Sequence, residues 1–438
     1  MPSCQDKNLF PEDYKYALKK FILTCHTPTT ISLQGEWGSG KTTLMEELIN
    51  MQIENVDDDV YFLKPFINAW ELSQFNMDSQ LPFLIMSKII SLIDNNVKIP
   101  SIFKNGLKIA GNLLGGITTK NNHIIDDLMV KDYFEQLDSI KDKFKKAVDN
   151  RLDNEHKSKN SRLVIFIDDL DRIPPQRALE VLECLKNFLQ TPRCIFVLAI
   201  DYDVVVKGAE EKYGLNKGKA FFDKIIQLSF SMPVAFYNVP SYLRIKLNEI
   251  QDQIDEKYKF VVENNDEELD TVKLYNKILK LTVGTNPRTI NRIFNLFDLM
   301  INADIKNYEI GYKKNLEKKI NIGDYDTLFY DYYFIQICIQ DKYPTLWNYI
   351  LKSLADSFKI MEELKKKNHS IATYNKEIEG LIQNIYDGNE YKNYSNEKEL
   401  LKLYCKILNR INSSEKLGNR TIFETVAIFR NIDGYLNI

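Results

Sequence analysis

Cysteine is scarce in this chain of 438 residues, and the six present (Cys4, Cys25, Cys184, Cys194, Cys338, Cys405) are scattered. No C-x-x-C pair and no Cys/His cluster at ligand spacing occurs, which argues against a zinc site or a disulfide scaffold and for a reduced, cytosolic interior. A long hydrophobic run is missing as well. The least polar long segment, Ile102 to Ile117, contains Lys104, Asn105, Lys108 and Asn112 and falls short of the roughly 20 apolar residues a membrane span needs. No integral membrane segment is therefore expected, and the N-terminus lacks the charged start and apolar core of a secretory signal. Charge of one sign is not in excess: 58 Lys and Arg oppose 61 Asp and Glu. That balance gives no global footprint for nucleic acid, so a nucleic-acid partner stays open without support. No nuclease, protease or deaminase constellation is visible, and any such effector chemistry is expected in a separately encoded chain.

What is present is a glycine-rich turn in the right context. ISLQGEWGSGKTTL, Ile31 to Leu44, places an apolar run before the turn and an amphipathic helix after it. Gly35, Gly40, Lys41 and Thr42 fit the G-x-x-x-x-G-K-[ST] spacing of a phosphate-binding loop. Such glycines let backbone N–H groups curl around a phosphate at the positive end of the following helix. The expected cradle is Gly35, Glu36, Trp37, Gly38, Ser39, Gly40, Lys41, Thr42 and Thr43. Lys41 would reach the β and γ phosphates, and the Thr42 hydroxyl would ligate Mg²⁺.

A second phosphate-site signal follows downstream. Arg162 to Ile167 is a β-branched apolar strand that stops in Asp168, Asp169, Leu170, Asp171, Arg172. An acid at such a tip can hold Mg²⁺ and its neighbour can orient an attacking water; the bland alternative is that the aspartates cap a turn. Asp201, after the apolar run Cys194 to Ile200, could sense a γ phosphate or equally cap the next helix.

Helix and strand alternate from residue 29 to about 233, which predicts an α/β fold, a parallel sheet of about five strands with helices on both faces. Strands are expected at the run before Gly35, at Val60 to Asn68 (with Pro65 against a central position), at Arg162, at Cys194 and at the end of Ala220 to Phe230. Helices are expected at 11 to 25 (Tyr14, Leu18, Phe21 and Ile22 on the stripe, packed on the sheet), Leu81 to Ile93, Leu128 to Val148, Gln176 to Leu189 and Tyr202 to Tyr213. Residues 94 to 124 read as a connector and Arg151 to Ser161 as a solvated loop.

After Pro240 the pattern becomes all helical, with helices at Tyr242 to Tyr258, Asp270 to Val283, Pro287 to Ile301, Asp324 to Leu354 and in the tail. The aromatics from Phe329 to Phe334 read as core. Lysines at 313, 314, 318, 319 and 365 to 367 read as a solvated face, with a phosphate-contact surface as the alternative. Asn286 and Pro287 can open a helix and fix Arg288 at its start. The expected domains are 1–238 with a helical insertion at about 71–160, a helical lid at 239–305, and a C-terminal helical domain at 306–438.

GEWGSGKTTL at 35 to 44, INAW at 67 to 70, FIDDLDR at 166 to 172, DKIIQLSFSMP at 223 to 233 and TNPRTINR at 285 to 292 together resemble the KAP family of P-loop NTPases. The resemblance implies an additional-strand P-loop ATPase related to AAA+ and STAND proteins, with ATP and Mg²⁺ as ligands. It implies that Asp168 places Mg²⁺, Asp169 acts as general base and Arg288 acts as a second sensor. Family members include bacterial phage-exclusion proteins and animal membrane-associated scaffolds. A nucleotide-driven switch controlling self-association or a protein effector, in anti-phage defence, is the expectation; a nucleotide-gated scaffold without turnover and a DNA-acting ATPase are the alternatives. Arginine fingers from a neighbouring copy are common in such assemblies, and Arg172 and Arg193 are the candidates here.

Overall fold

The computed structural model describes residues 9–51, 60–62, 67–74, 81–94, 141–154, 161–254 (apart from 187, 189 and 216), 270–314, 327–350, 352 and 395–413. They fall into two compact units, one of residues 10–233 and one of Leu9 with Val234 onward.

In the first unit, β1 (Thr29–Gln34), β2 (Val60–Phe62), β3 (Ile67–Asn68), β4 (Arg162–Asp168), β5 (Cys194–Ile200) and β6 (Leu228–Ser231) form one sheet. The order is β2-β4-β5-β1-β6, with β3 also on β4, and every pairing is parallel. The single strand expected from Val60 to Asn68 is therefore described as two short pieces on the outer side of β4; Pro65 lies between them, outside the described residues. The additional strand implied by the resemblance is β5: it stands between the loop strand β1 and the acid strand β4. All seven of its residues are buried, as continuous apolar runs covered on both faces require.

Register brings the tips together. Gln34 is opposite Ile200, and Ile167 is opposite Leu198, so the segments after β1, β4 and β5 emerge at one carboxyl edge. Helices α1 (Glu12–Thr24), α2 (Lys41–Asn50), α3 (Ala69–Ser73), α4 (Leu81–Ile93), α5 (141–154), α6 (Pro175–Lys186), α7 (Tyr202–Tyr213) and α8 (Gly218–Ile225) complete this unit. Ile85, Ile89, Phe144, Leu182, Phe188 and Phe196 share its core, and each contributes about 1.5–3 kcal/mol by leaving water.

Two expectations for this unit need correction. The buried stripe of α1 is Lys15, Leu18, Lys19, Ile22 and Leu23, while Tyr14 and Phe21 are exposed. The lysines bury their alkyl stems because their ammonium groups find partners on α2: Lys19 Nζ donates to Leu48 O at 2.9 Å, and Lys15 pairs with Glu47 at 3.2 Å. Helix α5 runs to residue 154, into the segment expected as a solvated loop, because Leu152 is fully buried. Ser161, the end of that segment, is buried too. Met129, Phe134, Leu137 and Ile140 of that expected helix, and all of Ile102 to Ile117, lie outside the described residues.

The second unit contains α9 (Val239–Gln251), α10 (Thr271–Leu281), α11 (Pro287–Lys314), α12 (Thr327–Lys342), α13 (344–350) and α14 (Ser395–Ser413). Where one helix was expected from Asp324 to Leu354, the path breaks at Tyr343, since Pro344 has no N–H to continue the ladder and suits a new first turn. The expected aromatic core is present: Tyr330, Tyr332, Tyr333 and Phe334 are buried, and the Phe334 ring stacks on Tyr275 at 3.8 Å. The side chains of Lys313 and Lys314, and residues 318, 319 and 365 to 367, lie outside the described set.

Candidate functional site

The turn between β1 and α2 needs glycine for two different reasons. Gly38 and Gly40 have φ of 87° and 95°, in the region that disfavours any Cβ. Gly35 is required by space: a Cβ there would lie 2.7 Å from Ser39 Oγ and 2.9 Å from Met232 Cγ. Gly40 precedes the first turn of α2, and no side chain caps that helix. Its leading N–H groups thus face the loop interior at the positive end of the helix, which suits an anion.

Lys41 opens α2 and is buried. Its Nζ donates to Gly35 O at 2.6 Å, to Glu36 O at 3.4 Å and to Asp171 Oδ2 at 2.8 Å. Glu36 O also accepts from the Ser39 N–H at 3.1 Å, closing the turn. Next to it, Thr42 Oγ1 donates to Asp168 Oδ2 at 2.6 Å. The loop and the acid strand are thus joined by two contacts between residues more than 120 positions apart in the chain.

Asp168 ends β4 and is buried; its Oδ1 accepts from the Asp169 N–H at 2.8 Å. Burial above all holds the Asp168 carboxyl higher than the usual carboxylate range, and Asp171 adds to this against the opposing bond from Thr42 and the charge of Lys41. Asp169 is likewise raised by burial first and then by Asp168, with Arg172 and Asn68 opposing. Its backbone is left-handed, at φ 60°, a conformation that aspartate tolerates better than most residues.

Two partners fix the Asp169 carboxylate. Asn68 Nδ2 donates to Oδ2 at 2.8 Å, and Arg172 Nε pairs with Oδ1 at 2.5 Å. Asn68 is positioned by strand pairing, since it stands opposite Asp168 across β3 and β4, and its Oδ1 caps α3. The Arg172 guanidinium lies 5.6 Å from the Trp37 ring and 5.8 Å from the Trp70 ring.

Sequence reading did not assign Asp171, Asn68 or Trp70. Asn68 and Trp70 sit in the quoted INAW string, so the signal was a polar residue at a strand tip followed by an aromatic. Asp201 accepts from the Asp203 N–H at 3.0 Å and caps α7, one of the two roles open to it. Arg193 is engaged inside its own chain: it donates to Ser161 O at 3.1 Å, to Ser161 Oγ at 2.6 Å and to Asp153 at 2.8 Å. Arg288 belongs to the other unit, exposed on the first turn of α11, where Asn286 Oδ1 accepts from its N–H at 3.0 Å.

The donor set fits a nucleotide with a hard cation. A hydroxyl and a carboxylate side by side are oxygen ligands of the kind Mg²⁺ takes, together with phosphate oxygens. Among the described residues no group of three or more His, Cys, Asp or Glu could hold a metal ion. Also among the described residues, no helix is long and apolar enough to cross a membrane.

The family described as KAP family P-loop domain matches residues 12–302. Over 72 residues the chain is 31% identical to the phage T7 exclusion protein of Escherichia coli (strain K12), a stretch that is 16% of this chain and 10% of that protein.

Proposed function

Because this chain belongs to the KAP family of P-loop NTPases, we propose that it is an ATP-binding, Mg²⁺-dependent ATP-hydrolysing switch that controls its own assembly or a partner effector. The observation that carries the reading is the meeting of Thr42 with Asp168 at 2.6 Å, beside a buried Lys41 at an uncapped helix start.

Each residue then has a task. The loop amides from Gly35 to Thr43 bind phosphate oxygens, and Lys41 exchanges its Asp171 partner for the β and γ phosphates. Thr42 and Asp168 present oxygens to Mg²⁺, which when bound neutralises charge on the transferring phosphoryl group. Asp169 accepts a proton from the attacking water. The hydrogen bond from Asn68 and the ion pair with Arg172 leave further lone pairs on both oxygens for that bond. Arg288 takes the role of second sensor of the nucleotide.

The setting we propose is cytoplasmic defence against phage, supported by similarity to a phage exclusion protein over a tenth of that protein's length. The switch is expected to work as a homo-oligomer, with any effector chemistry in another protein. Turnover and light scattering measured together over a range of protein concentrations test this. Turnover that rises with assembly and is absent from Lys41→Ala supports the switch; ATP binding with no turnover at any concentration leaves a nucleotide-gated scaffold instead. DNA-stimulated, salt-sensitive hydrolysis would move the reading to a DNA-acting ATPase.

A further inference from the structure

Arg172 has no task in the reading above, yet it joins three segments of the site. Trp37 belongs to the phosphate loop, Trp70 to the helix after β3, and Asp169 to the tip of β4. The arginine meets all three: its guanidinium is 5.6 Å and 5.8 Å from the two indole rings, and its Nε is 2.5 Å from Asp169 Oδ1. Both indoles are open to solvent, Trp37 at 64% and Trp70 at 42% exposure. Large exposed aromatics beside a phosphate site call for a reason, and holding a planar cation against two ring faces supplies one.

The opposite oxygen of Asp169 is held by Asn68 at 2.8 Å. Asn68 is fixed by the β3–β4 register, whereas Arg172 leans on Trp37, whose place depends on the loop that receives phosphate. One side of the carboxylate is thus anchored to the sheet and the other to the loop. We infer that Arg172 is a positioning residue: seated on Trp37 and Trp70, it aims the Asp169 carboxylate and ties that aim to the state of the phosphate loop. This rests on the proposal that Asp169 receives the proton of the attacking water. The guanidinium is suited to the task because it is flat enough to lie over indole rings while its positive charge, with Nε 2.5 Å from Asp169 Oδ1, holds the carboxylate. A lysine ammonium can do only one of these at a time.

The test uses the full chain with Arg172→Ala and Arg172→Lys. Dissociation constants for Mg·ATP come from calorimetry, kcat from steady-state hydrolysis, and the state of the indoles from their emission before and after nucleotide. The expected result is a fall in kcat on the order of tenfold or more in Arg172→Ala, with Kd within about twofold of the parent. Arg172→Lys recovers only part of the loss, and it carries the same test if the alanine variant does not fold. Nucleotide is expected to change indole emission in the parent, and that change is expected to be lost in Trp37→Phe and in Arg172→Ala.

Unchanged kcat, or kcat and affinity falling together with melting temperature, would overturn the inference. If the parent binds nucleotide without turning it over, the ATPase reading fails by itself. Emission then decides: a nucleotide-dependent change that survives in Arg172→Ala overturns the coupling of Arg172 to the loop, and its loss supports it.

Discussion

Asp171→Asn should weaken the empty protein and tighten its grip on nucleotide. In the structure Lys41 and Asp171 form an ion pair at 2.8 Å, with side chains only 8% and 7% exposed. Leaving a buried charge without its partner costs about 3–5 kcal/mol in the general case. Here Lys41 keeps two carbonyl acceptors, Gly35 O and Glu36 O, and the neutral amide can still accept a hydrogen bond. The loss is therefore closer to that of one charge-assisted hydrogen bond, about 1.5–3 kcal/mol. In the nucleotide complex the same lysine serves phosphate, so this cost falls on the empty state alone. By linkage it reappears as affinity, and at about 1.4 kcal/mol per tenfold the gain is roughly ten- to hundredfold. Urea unfolding without nucleotide gives the first quantity and calorimetric titration with Mg·ATP the second. A variant that loses stability but binds nucleotide no better, or worse, would refute the idea that Asp171 and phosphate compete for Lys41.

Other perturbations read other parts of the structure. Asp168→Asn should raise the Tm of the nucleotide-free protein, because burial holds this carboxyl above its ordinary range and its ionised form costs stability. The sign follows: the gain is fully present above the raised folded value and gone below the ordinary carboxylate value, so melts at neutral and at acid pH separate the two, and a lower Tm at neutral pH contradicts it. Gly208→Ala should destabilise by roughly 1–2 kcal/mol in urea unfolding. Its Cβ would lie 2.4 Å from Pro175 O, forcing α7 off the start of α6 against a helix-propensity gain of about 1 kcal/mol. Arg193→Ala should cost about 1–3 kcal/mol by releasing Ser161 and Asp153. Turnover per folded chain should follow the parent; a specific loss of turnover with assembly intact would make Arg193 a group acting on a neighbouring copy.

Local signals carried the sheet and the loop. β5 is an uninterrupted apolar run, and the spacing from Gly35 to Thr42 is a chemical requirement that leaves few alternatives, so both were legible in sequence. The misread pieces are those where a distant partner overrides a local rule. Lys15 and Lys19 look like the solvent face of α1 until Glu47 and Leu48 supply acceptors on α2. Residues 151 to 154 look like loop until Leu152 is placed in the core. In the site, the acid string was visible and the resemblance implied roles for Asp168 and Asp169, but the side chains that hold these acids were not legible. That Asp171 meets Lys41, and that Asp169 is held by Asn68, depends on the order of β3, β4, β5 and β1 across the sheet, which no window of sequence contains.

The measurement that bears most directly on the proposed function is turnover of saturating Mg·ATP by the parent chain and by Asp169→Asn, with nucleotide binding determined on the same samples. Turnover that is lost in Asp169→Asn while binding is kept is the predicted result. Full turnover in Asp169→Asn, or none in a parent that binds Mg·ATP, would contradict the assignment of Asp169 as the group that takes the proton from water.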